Sequence, residues 1–341
     1  VGPRLAGERR LSEREIGVLR EWAEGGAPEG DPSRMPAAPQ FAGGWELGEP
    51  DAVAEVSAPF AIAAGSADLY QCFAIPLGLA TGRHVRAIEF RPGNRRVVHH
   101  ALVFAGAPKE ASYPCFGTPG FLPSASFGGW SPGTGAIRYP EGVSMALRSG
   151  ASIVMQIHYH PTGKPETDRS SVGLYFSPEP PRRRMMDIPL VSRRIDIPAG
   201  VANYRVRDYF TIPVDVDAVG IIPHAHYICR RMTGRAVLPG GRKVTLLSIR
   251  DWDFNWQEQY RYAEPVRLPS GTRVEMEFIY DNSERNPRNP SRPPKRVVWG
   301  PDSTDEMAGL HIQVIPVRPE EAGELGQALW GKLMRLVGGR F

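Results

Sequence analysis

Residues 151–160 read ASIVMQIHYH, an apolar, β-branched run that ends in two histidines. Such side chains suit a pleated, buried surface, so the run predicts a strand. Side chains at i and i+2 of a strand share a face, so His158 and His160 can point the same way. The run VDAVGIIP at 216–223 leads into His224 and His226 with the same spacing. A third pair, His99–His100 in RRVVHHALVF, is adjacent, and neighbours on a regular strand face opposite sides. The two can serve one metal only if a bulge or twist re-aims one of them.

Working outward, strand-like runs are short, turn signals recur, and the 341 residues hold 37 glycines and 34 prolines. That pattern predicts an all-β chain of antiparallel β-sandwiches rather than a helical or alternating βαβ fold. The length and 41% apolar content suffice for two domains of ordinary size. The stretch FSPEPPRRRMMDIP at 176–189 breaks the strand pattern with prolines and arginines, and marks a boundary. The expected division is an N-terminal helical extension over 1–44, sandwiches over 45–182 and 183–318, and a C-terminal helix over 319–341. In the extension, LSEREIGVLREWAEGG has helix grammar: Ser12 as N-cap, Glu15 closing a capping box, Leu11 and Ile16 as a staple. Leu19 and Trp22 extend its apolar stripe and Gly25–Gly26 stop it, the pattern of a helix packed on a core. The tail EEAGELGQALWGKLMRL places Leu325, Leu329, Trp330, Leu333 and Leu336 at helical spacing, again for packing on the core.

Six of the eight histidines thus fall in three pairs, and Met307 follows in GPDSTDEMAGLHI. A lone histidine on an apolar strand is more often a hydrogen-bonded core residue than a ligand, but packing alone does not produce three pairs. Imidazole is the commonest protein metal ligand, and a thioether favours Cu(I) over zinc or iron. The ligand set therefore points to copper. Residues 281–305, rich in Pro, Asn and Arg, read as a long ordered loop that delivers Met307.

In this order (His-His, then Q-x-H-Y, then H-x-H, then D-E-M) the motifs resemble those of the type-2 copper, ascorbate-dependent monooxygenases. That family includes peptidylglycine α-hydroxylating and dopamine β-monooxygenases. DLYQCFAIPL at 68–77 looks like the family's opening strand, and GGWSPGTGAIRYPEGV at 128–143 resembles the segment before the third histidine. The resemblance spans roughly residues 45–316. It implies two jelly-roll-like sandwiches with one copper each, facing a cleft. His99, His100 and His158 would hold an electron-transfer copper. His224, His226 and Met307 would hold the copper at which dioxygen and substrate react. Gln156 would support the third ligand. His160 has no counterpart there, and spacing alone does not separate it from His158.

The implied reaction is hydroxylation of a C–H bond in a small organic substrate, with O2 and ascorbate, another small reductant or a c-type cytochrome as electron donor. Peptide-hydroxylating members place an Arg two residues before H-x-H, and an Asn and a Tyr two and four residues after the Met. Here those positions are Ile222, Gly309 and His311, with His311 a candidate substrate contact, core or supporting residue. The N-terminal element resembles the terminal helix of a cytochrome c domain, but no C-x-x-C-H haem motif is present in the sequence. The competing reading is a non-catalytic periplasmic copper-binding or sequestration protein.

A net charge of +4 comes with dispersed basic residues and no nucleic-acid motif, so no nucleic-acid partner is expected. No run approaches the ~20 apolar residues of a membrane span. Cys72, Cys115 and Cys229 allow at most one disulfide, and the offset of Cys229 from His226 favours a buried thiol over a ligand. Family members in animals are richer in disulfides, which implies a bacterial branch stabilised by core size rather than staples. Copper chemistry and the resemblance favour a periplasmic or secreted location.

Overall fold

The computed structural model describes residues 2–8, 10–38, 44–115, 119–121, 123–300 and 302–338. The stretch 39–43, which joins the N-terminal element to the first sandwich, and residues 339–341 lie outside it. Secondary structure is all-β apart from two α-helices and two short 3-10 turns among the described residues.

Two facing five-stranded sheets build the first half. One carries Arg83–Arg91 at its centre, paired with Ser171–Phe176, Ile137–Arg138 and Met145–Leu147, with Ala52–Glu55 at its edge. The other runs Ser112–Pro114, Leu69–Pro76, Ser152–Tyr159, Val98–Gly106, Ala125–Trp130. All pairings are antiparallel. Two short strands, Ala52–Glu55 and Phe60–Ile62, precede Leu69–Pro76, so 68–77 is not the opening strand.

Ser152–Tyr159 is buried along nearly its whole length, which explains why its sequence does not alternate. Ile153, Met155, Ile157 and Tyr159 join the core with Val85, Ile88 and Leu174. On its other face Val154 packs beneath Cys72 and Cys115, which form a disulfide. Cys229 is the remaining thiol and is buried, so one staple and one free cysteine share the chain.

A second core joins two four-stranded sheets: Met186–Val191, Gly309–Pro316, Val216–His224, Tyr260–Leu268, and Tyr204–Thr211, Arg273–Tyr280, Cys229–Val237, Lys243–Ile249. Ile221, Leu310 and Ile312 meet Met232, Met276 and Phe278 between the layers. The register slips by one residue between Ala218 and Gly220. At Gly220 a Cβ would stand 2.8 Å from Gln313 Oε1 and 3.1 Å from the Tyr260 carbonyl, so a side chain there would have to displace the Gln313 amide.

Helix α1 (Glu13–Glu24) has the Ser12–Glu15 capping box that the sequence predicts. It buries no residue, and Leu19 and Trp22 are exposed. The expected packing on a core is therefore absent; local capping specifies this helix without supplying a partner for its stripe. Helix α2 (Ala322–Gly338) does pack, through Leu325 and Leu329. Trp330 and Leu333 face out instead, and the element is held by a polar contact that spacing does not reveal. Lys332 is buried and pairs with Asp208 Oδ2 at 2.6 Å. No described helix is long and apolar enough to cross a membrane.

Candidate metal centre

His158 lies on Ser152–Tyr159, opposite His100 on the neighbouring strand. The next pair in register is Tyr159 with Val98, so His99 is an extra, unpaired residue: a β-bulge. It turns the His99 ring to the same side as His100. The three Nδ1 atoms then form a near-equilateral triangle, His99–His100 3.2 Å, His99–His158 3.2 Å, His100–His158 3.3 Å. A point equidistant from all three lies about 1.9 Å from each, close to a metal–imidazole bond of about 2.0–2.1 Å. This is the one His/Cys/Asp/Glu group with metal-holding geometry among the described residues.

Burial lowers the pKa of His99 to about 4, and that of His100 well below the ordinary value, with the neighbouring His158 adding to both. Neutral rings keep their lone pairs for a cation. With Nδ1 turned inward, His158 carries its proton on Nε2 and donates to Asp68 Oδ2 at 3.0 Å. The other oxygen of Asp68 meets His160 Nδ1 at 2.9 Å. His160 is 62% exposed and outside the triangle. Tyr70 stacks on His158 at 4.1 Å and 8°, holding the ring flat. Gln156 is turned to the disulfide, its amide donating to Cys115 Sγ at 3.4 Å.

The second pair is arranged differently. The strand Val216–His224 ends at His224, and His226 lies beyond it, just before the turn at 227–228. The two rings are nonetheless 5.3 Å apart. Strand alternation does not bring them together, as the sequence suggests; side-chain anchors do. Cys229 is likewise buried because the chain turns at 227–228 into the next strand, not because of an odd offset along one strand.

His224 Nδ1 meets Gln257 Oε1 at 2.7 Å, while Gln257 Nε2 donates to the Phe254 carbonyl at 3.0 Å and so fixes the amide. His226 Nδ1 meets the Asp305 carbonyl at 3.1 Å. Each Nδ1 thus faces an oxygen acceptor, and the Asp302 backbone is a second hydrogen-bond partner of His226. Burial again leads in lowering both pKa values, His226 to about 3.

Glu306 organises this half. Fully buried, its carboxylate accepts the amides of His226 (2.8 Å), Ile228 (2.8 Å), Cys229 (3.2 Å) and Met307 (3.2 Å). Burial pushes its pKa up to about 8 against these four bonds. The Met307 carbonyl accepts from Tyr280 Oη at 2.6 Å. Gly309, two residues on, pairs with His224. Met307 is therefore held by its backbone beside the histidine pair. His311 sits opposite Ile222 in the same sheet, half-buried, its pKa lowered by burial with Asp187 opposing.

Sequence reasoning missed Asp68, Tyr70, Gln257, Phe254 and the role of Glu306. Glu306 had a signal in its place in DEM, since a buried acid next to a ligand candidate is a natural anchor. The aromatic, amide-rich WDFNWQ at 252–257 was the other unused clue.

No family model matches the chain. Over 141 residues it is 30% identical to dopamine beta-hydroxylase of Equus caballus, a stretch covering 36% of this chain and 23% of that one. Among solved structures it overlaps the major capsid protein P2 of bacteriophage PM2 at a TM-score of 0.35, with 11% identity, covering 78% of this chain and 97% of that one. The VP2 subviral particle of infectious bursal disease virus gives 0.24 and 8%, over 82% and 73%. Overlaps this loose carry nothing about the site.

Proposed function

We propose that the chain is a copper-dependent monooxygenase that hydroxylates a C–H bond of a small organic substrate with O2 and an external reductant. The observation that carries this reading is the Nδ1 triangle of His99, His100 and His158, the right size for one ion. The partial likeness to dopamine beta-hydroxylase supports the same class.

His99, His100 and His158 would hold one copper, with Asp68 fixing the His158 tautomer. His224, His226 and Met307 would hold the second. Copper in these sites supplies one-electron chemistry and activation of O2. The chain's own residues hold the rings neutral and oriented, and Glu306 and Gln257 keep the second set assembled. A thioether beside two imidazoles selects copper over zinc or iron, which prefer imidazole and carboxylate. Residues 45–182 and 183–318 would be the two copper domains. The Cys72–Cys115 disulfide supports a periplasmic or secreted location, where such bonds persist. Ascorbate, another small reductant or a c-type cytochrome would feed electrons.

The test is metal analysis of the purified protein together with oxygen uptake. Two coppers per chain and reductant-dependent uptake with a hydroxylated product are expected. One metal per chain, or zinc retained at both sites, would sink the reading; two coppers without uptake would turn it into copper sequestration.

A further inference from the structure

The ring of Phe254 lies between the two histidine clusters. It stacks on His99 at 5.2 Å and 27°, meets His226 edge-on at 5.7 Å and 80°, and packs on Tyr227 at 4.4 Å. His99 belongs to the first sandwich and His226 to the second, so one buried ring is shared by both.

Its loop is fixed at each end. Trp252 Nε1 donates to the His226 carbonyl at 3.1 Å, and Asp253 Oδ1 accepts the Asn255 amide at 2.9 Å. Beyond the ring the chain runs into a polar seam against the first sandwich. Ser131 Oγ donates to the Gln257 carbonyl, Gln259 Nε2 to the Gly129 carbonyl at 3.1 Å, and Arg261 to the Arg138 carbonyl at 3.1 Å. A Cβ at Gly129 would stand 2.7 Å from Leu102 Cδ2 and 2.8 Å from the Ala101 carbonyl of the neighbouring strand, so this strand offers bare backbone to Gln259.

We propose that Phe254 is a positioning residue, a latch whose ring sets the separation of the two histidine clusters and keeps water from between them. The seam's hydrogen bonds can each be exchanged for bonds to water at small net cost. An apolar ring cannot be so exchanged; opening the clusters exposes it. Edge and face contacts also restrict the angle at which His99 and His226 meet. The geometry stands on the metal-free chain, while the consequence for two coppers rests on the function proposed above.

The experiment loads the full chain and its Phe254→Ala and Phe254→Tyr variants with Cu(II), counts copper, and measures the copper–copper distance distribution by pulsed dipolar EPR. Phe254→Ala is expected to keep the parent's copper count but show a broader distribution shifted to longer distance, with Phe254→Tyr restoring the narrow one. An unchanged distribution in Phe254→Ala overturns the latch and leaves the two-copper reading standing. Should the parent bind fewer than two coppers, that reading fails, and the latch is decided on metal-free protein. There, carbethoxylation of His99 and His226 by diethylpyrocarbonate is followed by peptide mass spectrometry, with exposed His160 as internal reference. Several-fold faster modification of both in Phe254→Ala, reversed in Phe254→Tyr, supports the latch; equal rates overturn it.

Discussion

The backbone amides of His226 and Met307 converge on a single oxygen, Glu306 Oε2, at 2.8 and 3.2 Å. Two segments far apart in the chain are thereby clamped through their backbones by one buried carboxylate. The Met307 thioether takes no part in this clamp, and the His226 imidazole adds to it only through Nδ1, at the Asp305 carbonyl.

Replacing Glu306 with Gln keeps the shape but turns one acceptor into a donor that faces backbone N–H groups. An unsatisfied buried polar group costs about 1–3 kcal/mol. Glu306→Gln is expected to lower the melting temperature and to weaken copper at His224/His226 while sparing the His99/His100/His158 set. Calorimetry with copper titration checks this; wild-type melting and affinity would show that the clamp is dispensable.

Asp68→Asn removes the carboxylate that orients His158. Loss of such a partner typically costs roughly 10–100-fold in metal affinity. Competition with a copper chelator is expected to show a loss of that order. His160→Ala, by contrast, removes an exposed ring and is expected to change affinity little. An equal loss in the two variants would make His160 a ligand.

Met307→Ile keeps bulk and removes sulfur. Reductant-dependent oxygen uptake is expected to collapse while the copper at His99, His100 and His158 remains reducible by ascorbate. Near-normal uptake would reduce Met307 to packing.

Acid sensitivity of the metal-free protein follows from His99 and His226, whose folded pKa values lie at about 4 and 3 against an ordinary 6.5. Below about pH 6.5 the unfolded chain binds protons that the folded chain refuses, so stability falls as pH drops from 6.5 toward 4. Denaturant midpoints between pH 7.5 and 4.5 are expected to decline, and a His99→Gln/His226→Gln variant to decline less. Parallel slopes would mean that other groups carry the effect.

Glycine-extended peptides are expected to be poor substrates. Ile222 and Gly309 offer no charged or polar side chain for a peptide carboxylate, and losing such a contact costs about 1.5–3 kcal/mol, roughly tenfold to over a hundredfold in binding. Efficient peptide turnover would require another carboxylate clamp.

The all-β class, the strand at 152–159 and the pairing of histidines were legible because period and residue type are local properties. So was the demand for a bulge at His99–His100, since adjacent residues cannot otherwise share a face. The anchoring of His226 was not legible: it depends on Glu306, Asp305 and Trp252, brought near only by the fold. Phe254 and Gln257 reach the histidines from a loop with no periodic pattern. In α1 the capping residues announced a helix, but capping is satisfied within one turn and carries no information about what covers the stripe.

The seam along Gly129, Ser131 and Arg138 has a consequence for building chimeras. Cutting the chain between Ser171–Phe176 and Met186–Val191 separates the two large apolar cores, but it splits the small cluster of Val143, Val219 and Ile315 and leaves the partners of Gln257, Gln259 and Arg261 on the other piece. A second half transplanted from another protein would arrive without the surface that its histidine loop leans on. The exchangeable module is the second sandwich together with the 128–138 segment of the first, and grafts that respect this outline should keep both histidine sets in register.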